Sequence, residues 1–378
     1  MTRAGQYISQ SSGYKAFIPN PLPPNPPINF DIELIKLLSD AERALGRLDG
    51  AAEILPNPDL FVGMFVKKEA VLSSQIEGTQ ASLVDVLEFD ADEQIKKGSD
   101  VGDVVNYINA MNYGLERLDK LPLSLRLIRE IHSVLLQGTR GADKDPGEFR
   151  KSQNWIGPSG STLANASFVP PAVEEMKKAM GDLELYMHDE SSNLPHLIKI
   201  GLIHCQFETI HPFLDGNGRV GRLLITFYLV QKGILNKPLL YLSYYFKKNR
   251  IDYYEWLMQV RLKGRWEDWL KFFLKGVIEV SNSAIEISRK ILQLQSTHKS
   301  VVMENNNTQN ALKLIDLLYL RPVITINDVV DELGITYPTA STLVKSFEEI
   351  NILKEKTGQQ RNRVYGYTEY IEILEEDI

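Results

Sequence analysis

Twelve consecutive residues, 211 to 222, combine more chemically competent groups than any other part of the chain. They read His-Pro-Phe-Leu-Asp-Gly-Asn-Gly-Arg-Val-Gly-Arg and precede an apolar run, Leu223 to Leu229, that is typical of a helix. A glycine-rich turn that opens a helix directs backbone N–H groups and the positive end of the helix dipole at one place. The segment therefore predicts a turn that binds phosphate.

The side chains of this segment indicate the chemistry that would take place there. Arg219 and Arg222 lie three residues apart, so both can project from one side of the helix toward phosphate oxygens. Asp215 is a hard oxygen ligand suited to Mg²⁺, which usually binds through one or two carboxylates and substrate phosphates. His211 can accept a proton near neutral pH. Together these residues indicate group transfer from a nucleotide phosphate.

The same twelve residues resemble a known family. They match every specified position of the Fic signature, H-P-F-x-D/E-G-N-G/K-R-x-x-R, whereas the chain lacks the Walker sequence of P-loop ATPases. The resemblance implies a Mg²⁺-dependent protein adenylyltransferase. His211 would take the proton from a Ser, Thr or Tyr hydroxyl of a target protein, and AMP would pass from ATP to that oxygen. Asp215 would hold the Mg²⁺.

The resemblance also implies which residues bind the nucleotide. These residues span the turn and the first helical turns, and they are Gly216, Asn217, Gly218, Arg219, Val220, Gly221 and Arg222. The two arginines would hold the distal phosphates. Tyr253 and Tyr254 lie where Fic proteins place a Tyr-Tyr pair beside the adenine, and aromatic rings stack on bases. The alternative is that both tyrosines are ordinary core aromatics.

A second motif lies far upstream. Residues 73 to 78 read Ser-Ser-Gln-Ile-Glu-Gly and match the Fic inhibitory pattern [S/T]-x-x-x-E-[G/N] at Ser73, Glu77 and Gly78. Residues 65 to 78 have a helical composition that ends at a glycine, as helices often do. The resemblance implies that Glu77 pairs with Arg222 and keeps that arginine from the γ-phosphate of ATP. It also leaves open that Glu77 positions water to remove AMP.

Residues 147 to 171 are rich in turn-forming residues and precede a helix predicted to begin near Val173. The pattern predicts a hairpin. In Fic proteins this region is a flap that holds the extended main chain of the target as an added strand. Residues 155 to 161 would form its tip, and the target protein would dock there.

Composition limits the class of protein. The 378 residues suggest two or three domains, and 43% hydrophobic with 24% charged residues are typical of a soluble globular chain. We find no membrane-spanning apolar stretch and no apolar signal core, which predicts a cytoplasmic location without membrane partners. The single cysteine, Cys205, cannot form an internal disulfide and lies in an apolar run typical of the core.

The pattern of apolar residues predicts a mainly α-helical chain. After a proline-rich, extended arm of polyproline II type, helical spacing begins at Asp31 and dominates to about residue 284. This agrees with a Fic-type helical bundle carrying a β-hairpin flap. We predict an N-terminal helical region with the inhibitory helix (1–115), a Fic catalytic core (116–284), a linker (285–304) and a C-terminal domain (305–378).

The C-terminal domain shows the order of a winged helix-turn-helix. Helices are predicted at 311–319, 325–333 and 338–350, followed by short strands at 353–356 and 364–367. From residue 299 onward the chain has eight Lys or Arg and thirteen Asp or Glu, whereas DNA-binding domains are usually basic. A role in partner binding, dimer formation or regulation is therefore favoured. The basic residues of the hairpin leave weak DNA contact open, and they are Lys354, Lys356, Arg361 and Arg363.

Other functions fit parts of this pattern. One is a transcriptional regulator whose Fic core senses a nucleotide, and another is a Fic enzyme that transfers UMP or a phosphate. A structural scaffold gives no reason for a complete motif. The expected partners are ATP, a target protein at the flap and a second copy of the chain in a homodimer. The target protein and its acceptor hydroxyl cannot be read from the sequence.

Overall fold

The structure is a computed structural model that describes residues 2–11, 13–53, 58–91, 99–139, 141–158, 160–306, 308–358 and 363–376. These residues are mainly helical, with two small antiparallel sheets. The helices and strands before the C-terminal domain are β1 (Gly5–Ser9), β2 (Lys15–Pro19), α1 (Ile32–Glu53), α2 (Pro58–Ile76), α3 (Leu83–Ala91), α4 (Ser99–Leu118), α5 (Leu125–Leu135), α6 (Val173–His188), α7 (His196–Ile210), α8 (Asn217–Gln231), α9 (Ser243–Lys248), α10 (Arg250–Lys263) and α11 (Trp266–Asn305). The mainly α-helical bundle expected from the sequence is confirmed.

Helices α7 and α8 form the centre of the bundle. Every α7 residue from Leu197 to Ile210 is buried, and so are most residues of α8. Helix α4 comes close to α8 at Gly114, where a Cβ atom would lie 2.3 Å from the ring of Phe227. The segment that joins α7 to α8 carries the Fic-like motif, so the core of the fold fixes both of its ends.

The N-terminal arm differs from the extended form predicted. Strands β1 and β2 form an antiparallel hairpin that pairs Gly5 with Pro19, and Phe17 within it is 1% exposed. The Phe17 N–H donates to the Val169 carbonyl at 2.9 Å, which ties this hairpin to the base of the predicted flap. The prolines that follow dominated the sequence pattern and concealed the strand alternation before them.

The predicted linker lies inside one continuous helix. Helix α11 runs for 40 residues from Trp266 to Asn305 and packs along α1. Within the segment 285–304, Ile287, Ile291 and Val302 are buried. The polar residues that suggested a connection instead cover the outer face of α11, and His298 bonds the Tyr367 hydroxyl at 2.6 Å.

The C-terminal residues form a small α/β unit that rests on the N-terminal helices. Its elements are α12 (Gln309–Leu320), β3 (Val323–Thr325), α13 (Ile326–Leu333), α14 (Tyr337–Glu349), β4 (Lys354–Glu355), β5 (Val364–Gly366) and α15 (Thr368–Glu375). The sheet order is β3-β5-β4, and the sequence did not predict β3 or α15. Helix α12 packs on α2, β3 on α3 and α15 on α11. Arg361 of the basic hairpin lies outside the described residues.

No helix in the described ranges is both long enough and apolar enough to cross a membrane. The longest, α11, carries charged residues along its exposed side.

The contact between α4 and α8 predicts the effect of two matched substitutions. Gly114→Ala should lower the free energy of unfolding by about 1–3 kcal/mol, because the new methyl group overlaps the Phe227 ring. Gly181→Ala in α6 adds the same methyl group with nothing within 4 Å, and helix propensity should raise stability by roughly 0.5–1 kcal/mol. Urea denaturation of both variants measures the difference. Equal effects of the two substitutions would contradict the close packing at Gly114.

Candidate active site

The turn between α7 and α8 is held closed by one asparagine side chain. Asn217 accepts a hydrogen bond from the Phe213 N–H at 2.8 Å and donates to the Phe213 carbonyl at 2.9 Å. His211 at the end of α7 and Gly216 before α8 both have left-handed backbones, with φ of 51° and 76°. Because Asn217 bonds the loop and not solvent, its side chain shapes the turn while the first N–H groups of α8 face outward.

A second imidazole positions this turn. His132 on α5 accepts from the Gly147 N–H through Nδ1 at 2.8 Å, so Nε2 carries the proton and donates to the Asp215 carbonyl at 3.0 Å. Its ring stacks on Phe213 with 3.7 Å between centroids. Burial lowers the pKa of His132 to about 4, which keeps it neutral in this role. No local sequence signal indicates this role of His132, since the residue lies far upstream of the motif.

The predicted flap is hydrogen-bonded to the backbone of the motif. Arg150 donates to the His211 carbonyl at 3.1 Å, and its own N–H donates to the Pro212 carbonyl at 2.9 Å. Asn154 donates to the carbonyls of His211, at 3.2 Å, and Phe213, at 2.9 Å. Both residues belong to the predicted flap, but their hydrogen bonds to the backbone of the motif were not predicted from the sequence.

The flap itself turns back through one antiparallel pair. Ile156 and Phe168 exchange two backbone hydrogen bonds of 2.8 and 3.0 Å, with no longer strand among the described residues of the flap. Trp155 is 42% exposed at this pair, and its indole donates to the Ser161 carbonyl. Ser159, within the predicted tip, lies outside the described residues.

His211 lines a cavity of about 500 Å³ between the flap, the turn after α2, the end of α7, α8 and α10. Its Nδ1 is buried and has no hydrogen-bond partner in the part of the chain that the structure describes. Burial, with a smaller effect of the Arg261 guanidinium, lowers the pKa of His211 to about 3. The ring is therefore neutral at pH 7, the state in which an imidazole can accept a proton.

Asp215 and Arg219 flank the turn outside the lining of this cavity. The Asp215 side chain is 44% exposed, and its Oδ1 accepts from the Gly216 N–H at 2.6 Å and lies 3.6 Å from Nη2 of Arg219. Arg219 is 7% exposed, and its Nε has no partner among the described residues. A half-exposed carboxylate beside a helix N-terminus with unsatisfied donors suits Mg²⁺ bound to a phosphate.

Val220 lies within the first turns of α8. The side chain is fully buried, and its N–H donates to the Gly216 carbonyl at 3.0 Å within the helix. Free backbone donors are thus confined to the residues before it.

Arg222 is bound by Ser73 of α2 and by Glu77 in the turn that follows this helix. Its Nη2 contacts Glu77 Oε1 at 2.7 Å, its Nε donates to Ser73 Oγ at 2.7 Å, and Nη2 also donates to the Ser73 carbonyl at 2.9 Å. Gly78 follows with φ of 98° and ends the helix there. The structure therefore brings the two predicted motifs together, although 145 residues separate Glu77 from Arg222.

The absence of a side chain at Gly218 makes room for this ion pair. A Cβ atom at Gly218 would lie 2.2 Å from Oε1 of Glu77 and 3.0 Å from a nitrogen of Arg222. Any larger residue would displace the Glu77 carboxylate. The second glycine of the Gly-Asn-Gly turn thus makes the Glu77–Arg222 ion pair possible as well as the turn.

A buried carboxylate holds α2 in this position. Glu69 accepts from the Tyr107 hydroxyl at 3.0 Å and from the Ser243 N–H at 3.1 Å, which links α2 to α4 and α9. Burial raises the pKa of Glu69 to about 7. The sequence offered no motif for this contact.

The structure separates the roles of the two tyrosines on α10. Tyr253 is 1% exposed, its ring stacks on Phe246, and its hydroxyl bonds Nε2 of His204 at 2.9 Å. Tyr254 is 39% exposed, and both tyrosines line the cavity. The core interpretation therefore describes most of Tyr253, whereas the ring of Tyr254 is partly exposed, with the Arg250 guanidinium 5.5 Å from its centroid.

Comparisons with known proteins agree with this geometry. The model of the Fic/DOC family N-terminal region matches residues 35–116, and the Fic/DOC family model matches residues 122–229. The chain belongs to the Fic/DOC family.

Named relatives cover only part of the chain. A protein adenylyltransferase Fic of Drosophila grimshawi is 33% identical over 133 residues, which are 34% of this chain and 24% of that protein. A probable protein adenylyltransferase of Aquifex aeolicus is 28% identical over 177 residues, 47% of this chain and 51% of that protein. The chain therefore spans about a quarter to a half of the length of these relatives.

Solved structures share the fold. A Fic family protein of Desulfovibrio desulfuricans has a TM-score of 0.58 at 19% identity, covering 90% of this chain and 97% of that one. A Fic domain-containing signaling protein of Bacteroides thetaiotaomicron has a TM-score of 0.51 at 19% identity, covering 68% and 97%. At these identities the likeness concerns the fold alone.

Burial predicts the protonation of three imidazoles. Desolvation lowers the pKa of His204 to about 3, as it does for His211, and that of His132 to about 4. Nitrogen NMR shifts should therefore show all three neutral at pH 5.5, whereas in urea they titrate near 6.5. The unfolded chain binds these protons first, so the stability that the three imidazoles contribute falls as the pH decreases below 6.5. An imidazolium signal from any of them at pH 5.5 in the folded protein would contradict the burial argument.

Proposed function

We propose that this protein is a Mg²⁺-dependent protein adenylyltransferase that transfers AMP from ATP to a Ser, Thr or Tyr hydroxyl of a target protein and is restrained by Glu77. The observation that carries the proposal is the Glu77–Arg222 ion pair in the cavity that His211 lines. Relatives named protein adenylyltransferase support the same reaction.

The groups of the turn account for both the proton transfer and the transfer of AMP. The neutral His211 ring accepts the hydroxyl proton as the hydroxyl oxygen forms a bond to the α-phosphorus. The bond from that phosphorus to the bridging oxygen breaks, and pyrophosphate leaves with the electron pair. The N–H groups at the start of α8, with Arg219 beside them, stabilise the charge on the phosphate oxygens.

Asp215 is the residue that would hold Mg²⁺. Its carboxylate is half-exposed beside the phosphate-binding turn, and the ion would neutralise charge on the phosphates when bound. The His132 bond to the Asp215 carbonyl keeps this residue in place.

Competition for Arg222 explains the restraint. The guanidinium is 3% exposed and bonds Ser73 and Glu77, so it cannot also hold a γ-phosphate. ATP that lacks this contact would not place its α-phosphorus in line with the attacking oxygen. The same carboxylate faces the cavity and could orient water, so removal of AMP belongs to the same proposal.

Loss of the Glu77 carboxylate should release the activity. Glu77→Gly is expected to raise AMP incorporation from α-³²P-ATP, on the chain itself or on proteins of a lysate, at least tenfold, because Arg222 becomes free for phosphate. Glu77→Gln keeps the side-chain size without the charge and should give an intermediate rise.

Two controls assign the label to this mechanism. Adding His211→Ala to Glu77→Gly should abolish incorporation, since no base remains. Unlabelled ATP should compete and UTP should not. No label with the Glu77→Gly chain would contradict AMP transfer and favour another transferred group or the nucleotide-sensing regulator.

The metal contact has its own test. Asp215→Asn keeps the acceptor for the Gly216 N–H but removes the charge, so Glu77→Gly with Asp215→Asn should need at least tenfold more Mg²⁺ for half-maximal incorporation. An unchanged Mg²⁺ dependence would place the metal elsewhere.

For the remaining parts of the chain we infer three roles. The flap holds an extended target segment at the Ile156–Phe168 bridge. The chain forms a homodimer. Residues 305 to 378 form a winged helix-turn-helix that binds protein more readily than DNA. Its net acidic charge and its packing on α2 and α3 support this assignment.

A further inference from the structure

Glu208 is a buried carboxylate that the proposed mechanism does not use. It lies in the last turn of α7, three residues before His211, and is 6% exposed. Its Oε1 is buried and has no hydrogen-bond partner within the described ranges. The residue lines the same cavity as His211, Arg222 and Tyr254.

The surrounding residues fix the place of this carboxylate without bonding it. A Cβ atom at Gly221 would lie 2.4 Å from Oε1 of Glu208, so the carboxylate occupies space that this glycine leaves free. Arg261 is close, but it donates to the Glu208 carbonyl at 3.0 Å and to the Thr209 hydroxyl at 3.1 Å. The Glu208 carbonyl is thus satisfied, while Oε1 of its carboxylate is not.

An unsatisfied acceptor in this position needs a donor from a ligand. Burying a carboxylate without a hydrogen bond is unfavourable, and burial raises the pKa of Glu208 to about 7 although Arg222 opposes the rise. The phosphates of a nucleotide carry acceptors and negative charge, which Glu208 would repel. The donors of ATP are its ribose hydroxyls and the exocyclic amine of adenine, so Glu208 fits the nucleoside end.

We propose that Glu208 accepts a hydrogen bond from the nucleoside part of the bound nucleotide, from a ribose hydroxyl or the exocyclic amine, and thereby determines nucleotide specificity. This inference rests on the proposed nucleotide-binding function of the cavity. It assigns to Glu208 a contact with substrate and no part in the chemical step.

Direct binding separates this assignment from catalysis. The full chain with Glu77→Gly and His211→Ala exposes Arg222 and cannot transfer AMP during a calorimetric titration with Mg²⁺. ATP is compared with 2′-deoxy-ATP, 3′-deoxy-ATP and purine riboside triphosphate, each lacking one donor. The same series is measured after adding Glu208→Leu, Glu208→Gln or, as an exposed carboxylate on α10, Glu255→Gln.

We expect one analogue to bind the Glu77→Gly, His211→Ala chain, here called the parent, at least about tenfold more weakly than ATP does. Glu208→Leu should weaken the binding of ATP by a similar factor and should bind that analogue and ATP with equal affinity. Glu208→Gln, which keeps a carbonyl acceptor and the side-chain shape, should lose less, and Glu255→Gln should match the parent. The analogue affected identifies the donor.

Two results would overturn the assignment, and they differ. If Glu208→Leu and Glu208→Gln weaken ATP and all three analogues equally, the carboxylate acts as a partner of Arg222 and not as a nucleoside contact. If the parent binds no nucleotide, the proposed function of the cavity fails and the assignment fails with it. Thermal unfolding of each variant verifies that the comparison is made on folded protein.

Discussion

A buried arginine that must have an anion is the constraint on which the rest of this structure depends. Arg222 lies in the second turn of α8 with 3% of its surface exposed, and a guanidinium removed from water is costly unless an acceptor pairs with it. In the resting chain Glu77 and Ser73 supply the acceptors. Since a γ-phosphate can supply them equally well, the position is suited to an exchange of anions. In the proposed function, the inhibitory contact and the substrate contact would then be two solutions to one desolvation problem.

Helix α8 meets this requirement by leaving out side chains. Gly218 and Gly221 lie three residues apart on the same face, and a carboxylate sits over each, Glu77 over the first and Glu208 over the second. Two acidic groups can approach the arginine because no Cβ atom stands between them and the helix. Gly218 and Gly221, which look like turn residues in the sequence, therefore also determine the electrostatics on the α8 side of the cavity.

The sequence predicted well what local pattern encodes. The helical bundle and the start of α6 at Val173 followed from apolar spacing and turn residues. The pairing of Glu77 with Arg222 was implied by the resemblance of two short motifs to those of Fic proteins. Contacts that depend on distant elements could not be predicted, as shown by His132, whose two ring nitrogens connect Gly147 with Asp215. The continuous α11 was also missed, because polar residues on the exposed side of a long helix resemble a linker until the opposite side is known to be buried.

Burial also shifts the pKa values of titratable groups around the cavity. His211 is buried beside Arg261 and Arg150, and both guanidinium groups disfavour a third positive charge there. Burial likewise raises the pKa of the Glu69 and Glu208 carboxyls to about 7. A phosphate bound at the start of α8 adds negative charge and would make His211 a stronger base while leaving the rest of the turn unchanged. In the proposed function, the base would therefore become effective when the nucleotide is bound, at a turn whose geometry the fold already provides.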